Sequence, residues 1–365
     1  MSGNIKLLIG NALDQLKTLD DESVNCVVTS PPYFNLRDYD TGSWVGGDPD
    51  CDHKPGEILN IHKISSSNEK PQAFYKDICE KCGAKRVDHQ IGLEATPQDF
   101  IDNLCEIFTE CKRVLKKDGT LWINIGDTYA SKVKGLKNKD LIGVPWMLAF
   151  ALRDKVGLYL RQDIIWAKPN PLPESVKDRS TKSHEYIFLF SKSPQYYFDH
   201  ESIREDSVDF ENSKRRYQYE LMGGEKHESG KFFTNRDNPH TKEIKEFDGK
   251  RSKRDVWNVS AKPYSEAHFA VYPPDLIAPC ILAGCPPDGT VLDPFAGSGT
   301  TGIVAANNLR NSILIELNED YAKLIEKRWQ QNGTLFTDFE SNVEIPKEST
   351  SFGIQDVVDF ESNLD

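Results

Sequence analysis

Hydrophobic positions along the chain fall into short apolar runs separated by amphipathic stretches. From Ile5 the pattern predicts a strand at IKLLIG, a helix at ALDQLKTL, a strand at VNCVVT, a helix through DFIDNLCEIFTECKRVL and a strand at TLWINIG. A helix from Pro145 to Lys155 follows, and two β-rich stretches, YLRQDIIWAK and HEYIFLFSK, close this region near Phe198. A second region, Pro273 to Trp329, alternates likewise: helix PDLIAPCILAGC, strand TVLDPF, helix TTGIVAANNL, strand SILIEL and helix EDYAKLIEKRW. Such alternation predicts a layered α/β sheet. Neither half alone makes a complete sheet with a filled core, so the two are expected to join into one.

Between them, residues 201–264 are polar and charge-rich with little periodicity, which suits either a surface insertion or a substrate-reading loop. The expected organisation is therefore 1–200 as one half of the domain, with an insertion over 42–90, then 201–264 as an insertion, 265–332 as the other half, and 333–365 as a tail. That tail is acidic, carries DFESN at Asp338 and again at Asp359, and reads as disordered or as a docking segment. No apolar run reaches the roughly eighteen residues of a membrane span, and MSGNIKLLIG lacks the features of a signal peptide, so a cytoplasmic protein is expected. A net charge of -12 argues at first sight against a nucleic-acid partner. The charge is unevenly spread, however: Arg204 to Arg254 holds 13 Lys+Arg against 11 Asp+Glu, a local net of +2.

VLDPFAGSGTT, Val291 to Thr301, follows a strand and opens a helix. Small residues let such a turn pass close to a ligand, and amides at the helix start favour a negative group. Glu316 ends the next strand, nineteen residues after Gly297, where a carboxylate can accept both hydroxyls of a ribose. The plainer reading is a tight turn beside an incidental glutamate. The loop lacks the P-loop lysine and departs from G-x-G-x-x-G, so an adenosine ligand without pyrophosphate fits better, and S-adenosylmethionine is such a ligand.

At TSPPY, consecutive prolines fix their own φ and hold the preceding residue extended, making a stiff corner at the carboxyl end of a strand. Open α/β sheets bind ligands at that edge. The corner would aim the Ser30 hydroxyl, the Pro31 carbonyl and the Tyr33 ring into one crevice. Two acceptors taking the hydrogens of an exocyclic amine would pull its nitrogen toward tetrahedral geometry and direct the lone pair at a sulfonium methyl, while the ring stacks on the base. A base inside a duplex must first be flipped out.

TSPPY together with DPFAGSGTT resembles the amino-methylating DNA methyltransferases, and the motif order, over most of Ile5 to Trp329, resembles their permuted β group. SPPY is the form usually associated with N4 of cytosine, DPPY with N6 of adenine. The resemblance implies a Rossmann-like fold with a mixed, mostly parallel sheet, S-adenosylmethionine as cofactor and double-stranded DNA as partner. It implies catalytic roles for Ser30, Pro31, Pro32 and Tyr33, methionine-end contacts from Asp293, Phe295, Gly297, Ser298, Gly299 and Thr300, and a ribose contact from Glu316. Gly10, Asn11 and Ala12 match the segment near the adenine, although the family often has aspartate where Asn11 stands. HFAVYP, with Phe269, resembles the segment that closes over the methionine end; an aromatic core turn is the other reading. The expected activity is methylation of cytosine N4. An N6-adenine methyltransferase is the alternative, and the glycine loop alone would also permit a dinucleotide oxidoreductase. The recognition sequence, a cognate restriction endonuclease and the oligomeric state are left open.

Attack by the amine itself needs no cysteine nucleophile, and Cys26, Cys105 and Cys111 read as core thiols. The 42–90 insertion holds CDH and CEKCG, so Cys51, His53, Cys79 and Cys82 form a candidate structural zinc set, with His62 and His89 as substitutes for His53. Lys214, Arg215 and Arg216 in KRRYQY, and Lys250, Arg251, Lys253 and Arg254 in GKRSKRDVW, combine cations with aromatics as DNA contact requires, or form a solvated charged face. Gln162 to Ser175, with Trp166, is expected to wall the flipped base.

Overall fold

The computed structural model describes residues 3–35, 42–53, 78–87, 90–131, 133–209, 214, 225–226, 232–233, 248–261, 272–332 and 339–342. Phe269, Arg215, Arg216, His62 and His89 lie outside the described residues. Among those described, nine strands form one sheet: β1 (Ile5–Ile9), β2 (Val24–Thr29), β3 (Leu115–Ile125), β4 (Tyr159–Ala167), β5 (His184–Ser191), β6 (Val256–Asn258), β7 (Thr290–Asp293), β8 (Asn311–Glu316) and β9 (Phe339–Ser341). Their order is β6-β4-β5-β3-β2-β7-β8-β1-β9. β5 runs antiparallel to its two neighbours, and the other pairings are parallel. The two sequence regions join at the middle, where Cys26 and Val27 of β2 pair with Val291 and Leu292 of β7.

The sheet is flanked by helices, among the described residues α1 (Ala12–Lys17), α2 (Pro97–Val114), α3 (Val144–Ala151), α4 (Pro274–Gly284), α5 (Thr300–Asn307) and α6 (Glu319–Asn332). Successive strand residues face opposite layers. Val27, Leu121, Ile123 and Phe188 pack with Leu16, Phe100, Leu104 and Leu148 on one side. Cys26, Val28, Trp122 and Leu189 pack with Leu276, Ile281 and Val304 on the other. Full burial of each large apolar side chain contributes about 1.5–3 kcal/mol. α2 starts two residues ahead of the expected Asp99 because the Thr96 hydroxyl accepts from the Asp99 amide at 3.1 Å and Pro97 fills a position that needs no N–H.

Two pieces of chain read as non-core join the sheet. Val256–Asn258, inside the 201–264 segment, pairs with β4 and buries Trp257. Phe339–Ser341, inside the acidic tail, pairs with β1, whose outer edge offers main-chain groups that need partners. Phe339 stacks on Trp329 at 6.3 Å, and the Asn342 side chain accepts from the Ile9 amide at 2.8 Å. No helix among the described residues is long and apolar enough to cross a membrane.

Candidate active site

Because β1, β2, β3, β7 and β8 run parallel, their carboxyl ends open onto one edge. Gly10, Ser30, Gly126, the loop after Asp293, and Glu316 gather there. Thr29, the last residue of β2, donates from its hydroxyl to Asp293 at 2.6 Å. The buried Asp293 carboxylate also accepts from Thr301 at 2.5 Å, Tyr272 at 2.9 Å and the Phe295 amide at 3.1 Å. Burial raises its pKa, and these four donors oppose the rise. Asp293 therefore departs from the expected methionine contact: its oxygens are committed to locking the proline corner against the glycine loop. Pro31 and Phe34 anchor the corner by burial, Phe34 against Phe100 at 5.6 Å, while Ser30, Pro32 and Tyr33 stay half-exposed at the crevice.

The glycine loop is shaped by two left-handed residues. At Gly299, φ is +77° and a Cβ would meet Ile325 at 3.0 Å, whereas at Gly297, φ is +53° and a Cβ would meet nothing within 4 Å. Gly297 thus leaves open space where a ligand can approach. Glu316 accepts from the Gly297 amide at 2.7 Å and the Asn318 amide at 2.9 Å, and burial pushes its pKa up to about 7. A carboxylate has about four lone-pair sites, so capacity for two ribose hydroxyls is left. These features fit an adenosine-bearing cofactor. The Ser298 and Thr300 side chains are buried, and Arg328 of α6 donates to the Ser298 hydroxyl at 2.7 Å and to Thr300 at 3.2 Å. Their remaining offer is main-chain amides at the start of α5.

At the third motif, the Gly10 amide donates to the Glu316 carbonyl at 2.9 Å, and a Cβ on Gly10 would strike Gln15 at 2.8 Å. Asn11 caps α1, its side-chain oxygen accepting from Leu13 at 2.9 Å and Asp14 at 3.3 Å. Helix capping, which aspartate performs equally well, accounts for Asn11 without a cofactor contact. Ala12 is buried beneath it.

Tyr33 is held from β5 and β3. Its hydroxyl donates to Glu185 at 2.6 Å and reaches Asn124 at 3.3 Å. Lys168 forms an ion pair with Glu185 and lies 4.2 Å from the Trp166 ring. Gly126 is the residue this packing demands, since a Cβ there would stand 2.8 Å from the Tyr33 ring. Nearby, the Asp127 carboxylate accepts from Gly143 and Val144 at the start of α3, and Lys182 donates to the Asp127 carbonyl. Burial lowers the pKa of Lys182. A small cavity between Tyr33, Phe34, Gly126, Asp127, Thr128 and Val144 opens beside the corner. Trp166 does not wall it: the indole is buried and donates to the Val259 carbonyl at 2.7 Å.

Glu185, Asn124, Lys168, Thr29 and Arg328 escaped sequence reasoning. The available signal for Glu185 was an acid inside the apolar run HEYIFLF, a position that needs a partner. Cys26, Cys105 and Cys111 are buried, and burial raises all three thiols above their usual range, as core thiols and not nucleophiles require. The expected phosphate contacts are partly spoken for. Lys250 pairs with Asp206 at 2.5 Å, and Arg251 and Arg254 with Glu205 at 3.0 and 3.2 Å. Lys253 lies over Trp257 at 5.0 Å, and Lys214 is exposed. Cys51, His53, Cys79 and Cys82 converge, with their ligand atoms within 4.8 Å of one another.

A family model described as DNA methylase matches residues 24–327. The chain is 38% identical over 350 residues to type II methyltransferase M.Cfr9I of Citrobacter freundii, covering 90% of this chain and 88% of the relative. It is 38% identical over 345 residues to M.SmaI of Serratia marcescens, covering 88% and 90%. In structure it resembles the PvuII DNA methyltransferase (cytosine-N4-specific), with a TM-score of 0.56 and 18% identity over 92% of this chain and 89% of that one. TTHA0409 of Thermus thermophilus, complexed with S-adenosyl-L-methionine, gives a TM-score of 0.51 at 20% identity over 93% and 99%. The last two similarities speak to the fold.

Proposed function

The chain belongs to the family of type II DNA methyltransferases that act on exocyclic amines, and from that premise we propose that it methylates N4 of a cytosine flipped out of double-stranded DNA, with S-adenosylmethionine as donor. The observation that carries this reading is the Thr29 to Asp293 hydrogen bond, which joins the Ser30–Tyr33 corner to the turn containing Gly297. The Ser30 hydroxyl and Pro31 carbonyl would accept the two amine hydrogens and free the nitrogen lone pair, while the Tyr33 ring, steadied by Glu185, stacks on the base. Gly297, the amides that open α5, and Glu316 would hold the cofactor. When bound, S-adenosylmethionine supplies a methyl group activated by positive sulfur. Serine in place of aspartate at the head of the corner supports cytosine, and the PvuII enzyme, which shares the fold, is described as cytosine-N4-specific.

The order of corner before glycine loop fits the permuted β group. Segment 201–264 would read the target, with Lys250, Arg251 and Arg254 exchanging carboxylates for phosphates, a small cost for exposed pairs. A cytoplasmic enzyme with a cognate restriction endonuclease completes the reading, supported by the type II names of the relatives. Plasmid DNA from expressing cells, digested to nucleosides and resolved by mass spectrometry, should contain N4-methylcytosine. Methyladenine alone would overturn the choice of base, and unmodified DNA the whole proposal. Ser30→Ala should abolish methylation while DNA binding persists.

A further inference from the structure

We propose that Cys51, His53, Cys79 and Cys82 bind a single zinc ion in a closed tetrahedral site that ties the Cys51–His53 loop to the Cys79–Cys82 loop. Distances carry the inference. Zinc bonds of about 2.3 Å to sulfur and about 2.05 Å to nitrogen, at tetrahedral angles, separate two sulfurs by about 3.8 Å and a sulfur from a nitrogen by about 3.6 Å. The Cys51 and Cys79 sulfurs are 3.8 Å apart, and the Cys82 sulfur is 3.5 Å from His53 Nδ1. A disulfide needs its sulfurs at about 2.05 Å, and it would leave two of the four convergent ligands without a purpose.

The surrounding chain is built to hold these four atoms. Gly47 sits at φ +73°, and a Cβ there would stand 2.8 Å from the Cys82 sulfur. Gly83, at φ +74°, turns the CEKC loop so that its amide donates to the Cys79 carbonyl at 2.8 Å. His53 is held at φ +34°, a strained region for a residue with a side chain, and its ring stacks on Trp44 at 4.8 Å. Asp52 and Lys81, one inside each ligand pair, form an ion pair at 2.6 Å across the two loops. Strand Ser43–Val45 pairs with Lys85–Val87, bringing the half-sites into register.

Four protein ligands leave no open position, so the ion is structural. The chain flanking the insertion is itself tied to the corner: the Asn35 amide donates to the Gly92 carbonyl at 2.7 Å, and a Cβ on Gly92 would stand 2.9 Å from the Tyr33 carbonyl.

Full-length protein, purified without chelator or metal-affinity tag, should contain one zinc per chain by elemental mass spectrometry. Cys82→Ser and His53→Ala should lower that content, whereas Cys105→Ser, a core thiol outside the cluster, should keep it. Cobalt exchanged into the wild-type protein should give sulfur-to-metal charge-transfer absorption and quench Trp44 fluorescence, a readout that does not depend on how the variants fold. Zinc-free wild-type protein with freely titrating thiols, a Cys51–Cys79 disulfide in the peptide map, or full zinc retained by a Cys79→Ser/Cys82→Ser double variant would each overturn the site.

Discussion

The Thr29 hydroxyl donates to the Asp293 carboxylate at 2.6 Å, across the junction where strand β2 from one half of the sequence meets β7 from the other. Thr29 adjoins Ser30 in the chain, and three residues separate Asp293 from Gly297. The same hydrogen bond therefore fixes the distance between the amine-binding corner and the cofactor turn.

Thr29→Val keeps the shape of the strand and removes that bond. A buried hydrogen bond to a charged group is worth about 1.5–3 kcal/mol, so urea denaturation should show a loss of that size. kcat should fall with it, because the corner is no longer registered against the loop. Unchanged stability would mean that Asp293 is satisfied by Thr301, Tyr272 and the Phe295 amide without Thr29.

Tyr33→Phe removes and Glu185→Gln weakens the 2.6 Å bond that orients the ring, and both leave a ring to stack on the base. Each is expected to lower kcat by roughly tenfold, the equivalent of about 1.4 kcal/mol, with KM for DNA little changed. A larger effect from Glu185→Ala is expected, since that change also strips Lys168 of its partner. Steady-state kinetics on an oligonucleotide duplex separates the two constants.

Glu316 predicts a pH dependence of cofactor binding. With its pKa raised to about 7 by burial, the group is a neutral acid at lower pH and a carboxylate at higher pH. Ribose hydroxyls donate best to the carboxylate, so S-adenosylmethionine affinity should rise as pH increases toward about 7, by up to about tenfold per unit, and level off above it. The ligand-free protein has the opposite sign. An unfolded glutamate titrates near about 4.3, so the neutral form's share of stability is full below that value and is lost as pH climbs through about 7. Calorimetric titration across this range should show the rise, and Glu316→Gln should flatten it.

Gly297→Ala and Gly299→Ala should differ in what they damage. Both impose a side chain on a left-handed φ, at a cost of about 1 kcal/mol or more. Only Gly299→Ala also drives a Cβ to 3.0 Å from Ile325, so it should lose more thermal stability. Gly297→Ala points its methyl group into open space at the crevice and should instead weaken cofactor affinity more than it lowers the melting temperature. Paired melting curves and cofactor titrations decide between these outcomes.

Much of this protein is legible in one dimension. Continuous apolar runs such as VNCVVT and SILIEL mark strands, and their alternation with amphipathic helices marks a layered α/β sheet, whose mostly parallel pairing the motif resemblance implies. TSPPY and DPFAGSGTT announce their chemistry through residues whose backbone freedom is unusually small or unusually large. Local conformation is a short-range property, so short motifs carry it.

Partnerships between distant residues are not. Asp293 looks like a cofactor ligand in its motif, and only the packing of β7 against β2 shows its oxygens taken by Thr29, Thr301 and Tyr272. Only α6, by bringing Arg328 beneath Ser298 and Thr300, commits their hydroxyls and leaves their main-chain amides to a ligand. Glu185 gains meaning only because the antiparallel strand β5 lies beside β3, which sets its carboxylate under Tyr33. The acidic tail reads as disordered or as a docking segment, yet the open edge of β1 recruits Phe339–Ser341. In each case the deciding term is satisfaction of a buried or edge polar group by a residue remote in sequence, and a linear pattern has no means of recording that neighbour.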